Sequence, residues 1–171
     1  ASQIEDGRIP CIVPTSGWKY EGASGPAWDE VLVELPYQIY RFTGNKAIVK
    51  ENADAIEKYF RFLFTKINAN GLICYGMTDW CEAGNMCHYG VTTALEIIDS
   101  LISVDSARKA AYLLREIGRE SFAKELELFA NGLIDHFRKR HLTAEGKIGC
   151  LSQTALSLAI LLGAYKLEEL P

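Results

Sequence analysis

The sequence predicts an all-α fold in which helical hairpins form part of an α/α toroid or solenoid. Three observations predict it. Five stretches carry apolar residues at helical spacing; the first, third and fifth look buried, whereas the second and fourth look amphipathic. Connections after the first and third stretches are tight, and those before the first, third and fifth are long, which puts every short turn on one face and every long loop on the other.

Composition sets the frame. At 171 residues, 49% hydrophobic and 23% charged, the chain is one globular segment with enough apolar material for a core. A net charge of −4 without a basic stripe argues against nucleic acid and anionic membrane as partners and favours a small neutral or polar ligand. No run of about 18 apolar residues occurs, and Ala1-Ser2-Gln3-Ile4-Glu5-Asp6 has neither the charged nor the apolar region of an export signal. If the parent protein is exported, its signal lies elsewhere. The five cysteines, Cys11, Cys74, Cys81, Cys87 and Cys150, are odd in number and irregularly spaced, which favours reduced thiols and a cytoplasmic over a periplasmic setting. Cys81, Cys87 and His88 lack the close cysteine pair of a structural zinc site, so no metal is expected. No Walker loop or dinucleotide fingerprint is visible, and no cofactor is expected.

The elements follow in order. Residues 7 to 25, rich in Gly, Pro and Ser, make a long loop carrying Trp18 and Tyr20. Pro26 suits a helix first turn, and Trp28, Val31, Leu32, Leu35, Ile39 and Phe42 recur at helical spacing up to Gly44. Val33, Tyr37 and Tyr40 make this helix apolar on a second side, so burial between neighbours is expected, with a kink at Pro36. Asn45 caps a second helix reaching about Gly71, its stripe being Val49, Ala53, Ile56, Phe60, Leu63 and Ile67. A third runs from about Val91 to Ile117. Gly118 ends it, and a fourth starts near Ser121 with Phe122, Leu126, Phe129, Leu133 and Phe137 on one face. His136 and His141, in or just beyond this outer helix, are expected at the surface. The fifth, Leu151 to about Tyr165, is almost wholly apolar after Ser152-Gln153-Thr154 and is expected to be a buried inner helix.

Between the second and third helices lies Gly76-Met77-Thr78-Asp79-Trp80-Cys81-Glu82-Ala83-Gly84-Asn85, which no helical or strand period explains. It reads as one wall of a binding site. Trp18, Tyr20, Asp29, Asp79, Trp80, Glu82 and Gln153 all fall on the long-loop face, and convergence from separate loops is what a pocket needs. Aromatic rings against a sugar's apolar face, with carboxylates and amides for its hydroxyls, make a carbohydrate site, and Trp18, Tyr20, Trp28, Trp80, Asp29, Asp79, Glu82 and Gln153 supply that inventory. Plainer roles stand beside these. Trp28 lies on an apolar stripe, Asp29 in a helix first turn that favours any carboxylate, Asp79 where an Asx turn would fit, and Gln153 in another first turn.

A resemblance adds to this reading. Asp6-Gly7-Arg8-Ile9-Pro10, Gly25-Pro26-Ala27-Trp28-Asp29-Glu30-Val31, Leu35-Pro36-Tyr37-Gln38-Ile39-Tyr40-Arg41-Phe42-Thr43-Gly44 and Thr78-Asp79-Trp80-Cys81 together resemble the central part of bacterial alpha-L-rhamnosidases, glycoside hydrolase family 78. Arg115-Glu116-Ile117-Gly118 and Ser152-Gln153-Thr154-Ala155 are similar to its later helices. The resemblance implies an (α/α)6 barrel, places Asp79 and Trp80 in the rhamnose site and suggests the same for Trp28. It also implies inverting hydrolysis of terminal alpha-L-rhamnosides. Thr78 stands where this family usually has Gly, and Asp29 adjoins Trp28 where the family's acid stands two positions on. The family's general acid, in an upstream Asp-Cys-Pro-x-Arg-Glu type motif, and its downstream general base do not match any residue here. The chain therefore reads as a single all-helical segment, with 1–26 a loop-rich lead-in and 27–171 the hairpins, supplying sugar-binding groups to the remainder of a parent catalytic domain. Six hairpins would need roughly twice this length at 15 to 25 residues a helix. The open side of the first helix and the last helix should then expose apolar surface. Another α/α-toroid carbohydrate enzyme, a glucuronyl hydrolase or polysaccharide lyase, and a helical-repeat binding scaffold are the other readings.

Overall fold

The computed structural model describes residues 3–10, 12, 25–77, 93–147 and 152–166. Six helices run through them: α1 (Pro26–Asp29), α2 (Val31–Thr43), α3 (Lys46–Phe64), α4 (Leu95–Glu116), α5 (Glu120–His141) and α6 (Gln153–Leu161). The one extended pairing among the described residues is an antiparallel bridge between Ile67 and Ile73.

Local chemistry sets the two tight turns. α2 stops at Gly44, whose φ of 67° needs a residue without a Cβ, and its N–H returns to the Tyr40 carbonyl at 2.7 Å. Asn45 follows at once and accepts the Ala47 N–H at 2.9 Å, capping α3. The α4 to α5 turn is one residue longer: Arg119 N–H reaches the Leu114 carbonyl at 2.8 Å around Gly118.

α4 is the hub. It packs against α1, α2, α3, α5 and α6. Its Ile97, Ile98, Leu101, Val104, Leu113 and Leu114 are buried, and so are Ala107, Ala110 and Ala111, whose small side chains let neighbours approach closely. The stripe expected on α3 is buried from Val49 to Leu63, while Ile67 lies beyond the helix and is exposed. Phe60 and Phe64 of α3 meet Phe129 of α5 at ring separations of 6.3 and 4.8 Å. Such aromatic pairs add about 0.5–1.5 kcal/mol beyond area burial.

Several expectations change. The first helix is broken at Glu30 into α1 and α2, whereas Pro36 sits buried inside α2, which continues through it to Thr43. α2 is not sandwiched: only Val33 and Pro36 are buried, and Val31, Leu35 and Phe42 are exposed, because no described element covers that side. α6 is likewise not a fully buried inner helix. Ala155 and Ala159 face the core, but Ile160 and Leu161 are exposed. The expected apolar surface on the open side of the first helix and on the last is thus present. His136 is exposed as expected, but His141 is half-buried, with Nε2 3.2 Å from Glu96 Oε1, because the α5 terminus folds onto the start of α4.

Contacts fix which ends lie together. Lys46 Nζ donates to the Glu116 carbonyl at 2.8 Å, Tyr40 Oη to the Glu116 carboxylate at 2.5 Å, and Arg119 to Glu57 at 2.7 Å, joining both tight turns at one end. At the opposite end Asn68 donates to Glu96 at 2.7 Å, Thr93 meets Ser152, and Tyr75 N–H reaches Asp99. The long connections therefore share one face.

Candidate functional site

Three of the sequence-predicted site residues are described. Trp28 is 46% exposed on α1, a large aromatic surface open at the long-loop end. Asp29, next to it, is buried at 3%. Gln153 is the exposed first residue of α6, just after Ser152, whose Oγ caps that helix by accepting the Ala155 N–H at 3.0 Å. Trp18, Tyr20, Asp79, Trp80 and Glu82 lie outside the described residues, as do Cys81, Cys87 and His88. Cys74 is a free, exposed thiol.

Asp29 has company that the sequence did not reveal. It acts electrostatically on Tyr59 of α3 and Asp99 of α4, both fully buried. Asp99 Oδ2 accepts the Tyr75 N–H at 2.7 Å, while Oδ1 is buried with no hydrogen-bond partner among the described residues. Burial pushes the Asp99 carboxyl up to about 8; the Tyr75 N–H opposes this and the charge of Asp29 adds to it. At neutral pH Asp99 is therefore mostly a neutral acid. Tyr59 is raised well above the ordinary phenol range, first by burial and then by Asp29. The one sequence signal was Asp99-Ser100, a polar pair within the most buried stretch of α4.

The segment these groups hold is residues 73–77, which leads toward the Asp79–Trp80 motif. Ser100 Oγ accepts the Ile73 N–H at 3.0 Å, and Asp99 takes Tyr75 two residues on. Gly25 closes the other side. At φ 71° it lies so near that a Cβ there would come 2.1 Å from the Tyr75 carbonyl oxygen. The Gly25 carbonyl in turn starts α1 by accepting the N–H groups of Trp28 at 3.0 Å and Asp29 at 2.8 Å. Around the same end, Glu96 gathers Asn68 and Asn70; burial opposes its ionisation, but those amides and the nearby His141 and Arg140 hold its carboxyl below the usual range. A neighbouring cavity of about 280 Å³ is lined by Ala69, Asn70, His136, Lys139 and Arg140. The face thus offers an open indole, amides and charged groups over a rigid buried base, the surface chemistry of a polar-ligand site.

Comparison with known proteins gives this arrangement a family. The fold superposes on an alpha-L-rhamnosidase from Dictyoglumus thermophilum with a TM-score of 0.85 at 20% identity, covering 98% of this chain and 19% of that one. A Streptomyces avermitilis alpha-L-rhamnosidase, solved in complex with L-rhamnose, gives 0.80 at 19% identity over 96% of this chain and 15% of that one. An Aspergillus terreus alpha-L-rhamnosidase gives 0.80 at 17% identity, over 96% and 20%. The hairpins are therefore those of an α/α toroid. A curated alpha-L-rhamnosidase from Formosa agariphila is 34% identical over 58 residues, 34% of this chain and 6% of that protein. The chain thus spans a fifth or less of the relatives it matches. The family model of the bacterial alpha-L-rhamnosidase 6 hairpin glycosidase domain matches residues 1–170, and the chain belongs to that family.

Proposed function

We propose that this chain forms a sugar-binding wall in the catalytic domain of a glycoside hydrolase that releases terminal alpha-L-rhamnose. The observation that carries the reading is Trp28, an indole held half-exposed at the long-loop end of a rhamnosidase-type toroid. Its ring supplies the apolar platform, and Asp79, Trp80, Glu82, Trp18 and Gln153 supply further stacking and hydroxyl contacts. Asp29 acts from below, through its buried carboxyl. The reaction is inverting: one carboxylic acid protonates the leaving oxygen while a carboxylate activates water on the opposite face, the two standing about 6.5–9.5 Å apart. That acid and base come from the remainder of the parent catalytic domain, whose helices cover the exposed apolar sides of α2 and α6.

The test is turnover of an aryl alpha-L-rhamnoside by the full-length protein and its Asp79→Ala variant. Wild-type turnover with a large loss in the variant supports the reading. Undiminished turnover by the variant removes Asp79 from the site, and no wild-type turnover on any rhamnoside removes the activity.

A further inference from the structure

The groups beneath Trp28 form a closed circuit. Asp99 Oδ2 accepts the Tyr75 N–H, the Tyr75 carbonyl lies where a Cβ on Gly25 would come within 2.1 Å of it, and the Gly25 carbonyl anchors the N–H groups of Trp28 and Asp29. Asp29 then turns inward and acts on Asp99. No link in this circuit is solvent-screened at its centre, since Asp29, Tyr59 and Asp99 are all buried. We propose that Asp99 is a positioning residue for the Trp28 indole, acting through Tyr75 and Gly25, and that the circuit requires its neutral form.

The physical argument is one of charge. A buried carboxyl that keeps its proton can accept the Tyr75 N–H without adding charge to a site where Asp29 is already buried. Losing the proton places a second negative charge in the same low-dielectric space, with Oδ1 offered no hydrogen-bond donor by the described residues. Among the described residues the titratable groups around Asp99 are Asp29 on α1, Tyr59 on α3, and Cys74 and Tyr75 on the segment it holds. The cation nearest that segment is Lys66, over the Tyr75 ring at 5.1 Å, and it is not among the groups that shift Asp99. Repulsion therefore falls on the two short elements that carry the partners of Asp99, α1, four residues long, and the 73–77 segment.

That the indole meets a sugar rests on the function proposed above; that Asp99 positions it does not. The experiment separates the two. In the full-length protein, acrylamide quenching of Trp28 is read as the difference between the protein and its Trp28→Phe counterpart from pH 6 to 9.5, and L-rhamnose affinity is measured across the same range. The expected result is a change in Trp28 quenching with a midpoint near pH 8, abolished in Asp99→Asn, which keeps an oxygen for the Tyr75 N–H and cannot ionise. Rhamnose affinity should fall about tenfold or more above that midpoint in the wild type and stay level in Asp99→Asn. Quenching that is flat with pH in the wild type overturns the proposal, whatever the sugar does. So does a midpoint unchanged in Asp99→Asn. A quenching transition that Asp99→Asn removes, in a protein with no rhamnose affinity, upholds the role of Asp99 and removes the sugar-site reading instead.

Discussion

Lys109 on α4 places its Nζ 2.6 Å from the Glu34 carboxylate on α2 and 2.5 Å from Asp105, one turn earlier on its own helix. All three side chains are partly buried, so one cation serves two carboxylates across a helix interface. Burial opposes the charge on Glu34, yet the hydrogen bonds from Gln38 and Lys109 hold its carboxyl below the ordinary range. Burial would likewise lower Lys109, and Asp105 and Glu34 overcome it, so its ammonium is raised. Replacing Lys109 by Met leaves Glu34 and Asp105 facing each other uncompensated. The expected cost is about 1–3 kcal/mol at pH 7, discounted from a fully buried pair because water reaches the site. A carboxyl lowered in the folded state contributes stability above its unfolded value and loses it as pH falls, so the difference should shrink below about pH 4.5. Urea midpoints of the two proteins at pH 7 and pH 4 check both points.

Trp28 makes a second, separable prediction. With nearly half its surface in water, Trp28→Ala should leave the melting temperature close to that of the wild type. On an aryl alpha-L-rhamnoside it should weaken KM by about tenfold, the equivalent of about 1.4 kcal/mol of ring contact. Steady-state kinetics alongside thermal unfolding decides it; a large stability loss with unchanged KM would make Trp28 a core residue.

Asp99 should also be visible in stability against pH. Its carboxyl is raised in the folded state to about 8 from an ordinary value of 3.8. Over that window the folded state holds a proton that the unfolded chain has released, so stability declines as pH rises from about 4 to about 8 and levels off above. The slope is at most about 1.4 kcal/mol per pH unit for this one group. Asp99→Asn removes the term, so the stability of the variant relative to wild type should climb across the window. A constant difference between the two would show that Asp99 ionises normally.

Leu35 tests what lies outside the described helices. It is 56% exposed on α2, beside Val31 and a groove of about 380 Å³ that Ile9, Pro10 and Ile48 also line. In the full-length protein Leu35→Asp should cost about 2–4 kcal/mol if other hairpins cover that face, and within about 0.5 kcal/mol if the face meets water. Thermal unfolding separates the outcomes.

Much of the helical frame could be read from spacing alone. Val49 to Leu63 and Phe122 to Phe137 repeat on one side because their opposite sides are charged, and Asn45 announces a cap because its amide oxygen satisfies a helix-start donor. Two things were not legible. The break at Glu30 leaves no mark in an apolar pattern that runs on from Trp28 to Phe42. The inward turn of Asp29 depends on Tyr59 and Asp99, which are 30 and 70 positions away in sequence. A carboxylate in a helix first turn reads as solvated whether or not a buried tyrosine waits beside it. The half-burial of His141 was hidden in the same way, since Glu96 approaches it from another helix.

The separation of the two ends has a consequence for how the molecule can be rebuilt. The end bearing Gly44 and Gly118 is tied together by Lys46, Glu116, Arg119 and Glu57, and a Cβ at either glycine would meet nothing within 4 Å. The backbone there carries no residue assigned to sugar. It is the place where the chain can be cut, lengthened or rejoined in a new order while the opposite rim keeps its geometry. Space is open around Gly118 and closed around Gly25, although both keep the positive φ that favours glycine, so the same architecture that holds an indole out toward a ligand leaves room for added chain on its far side.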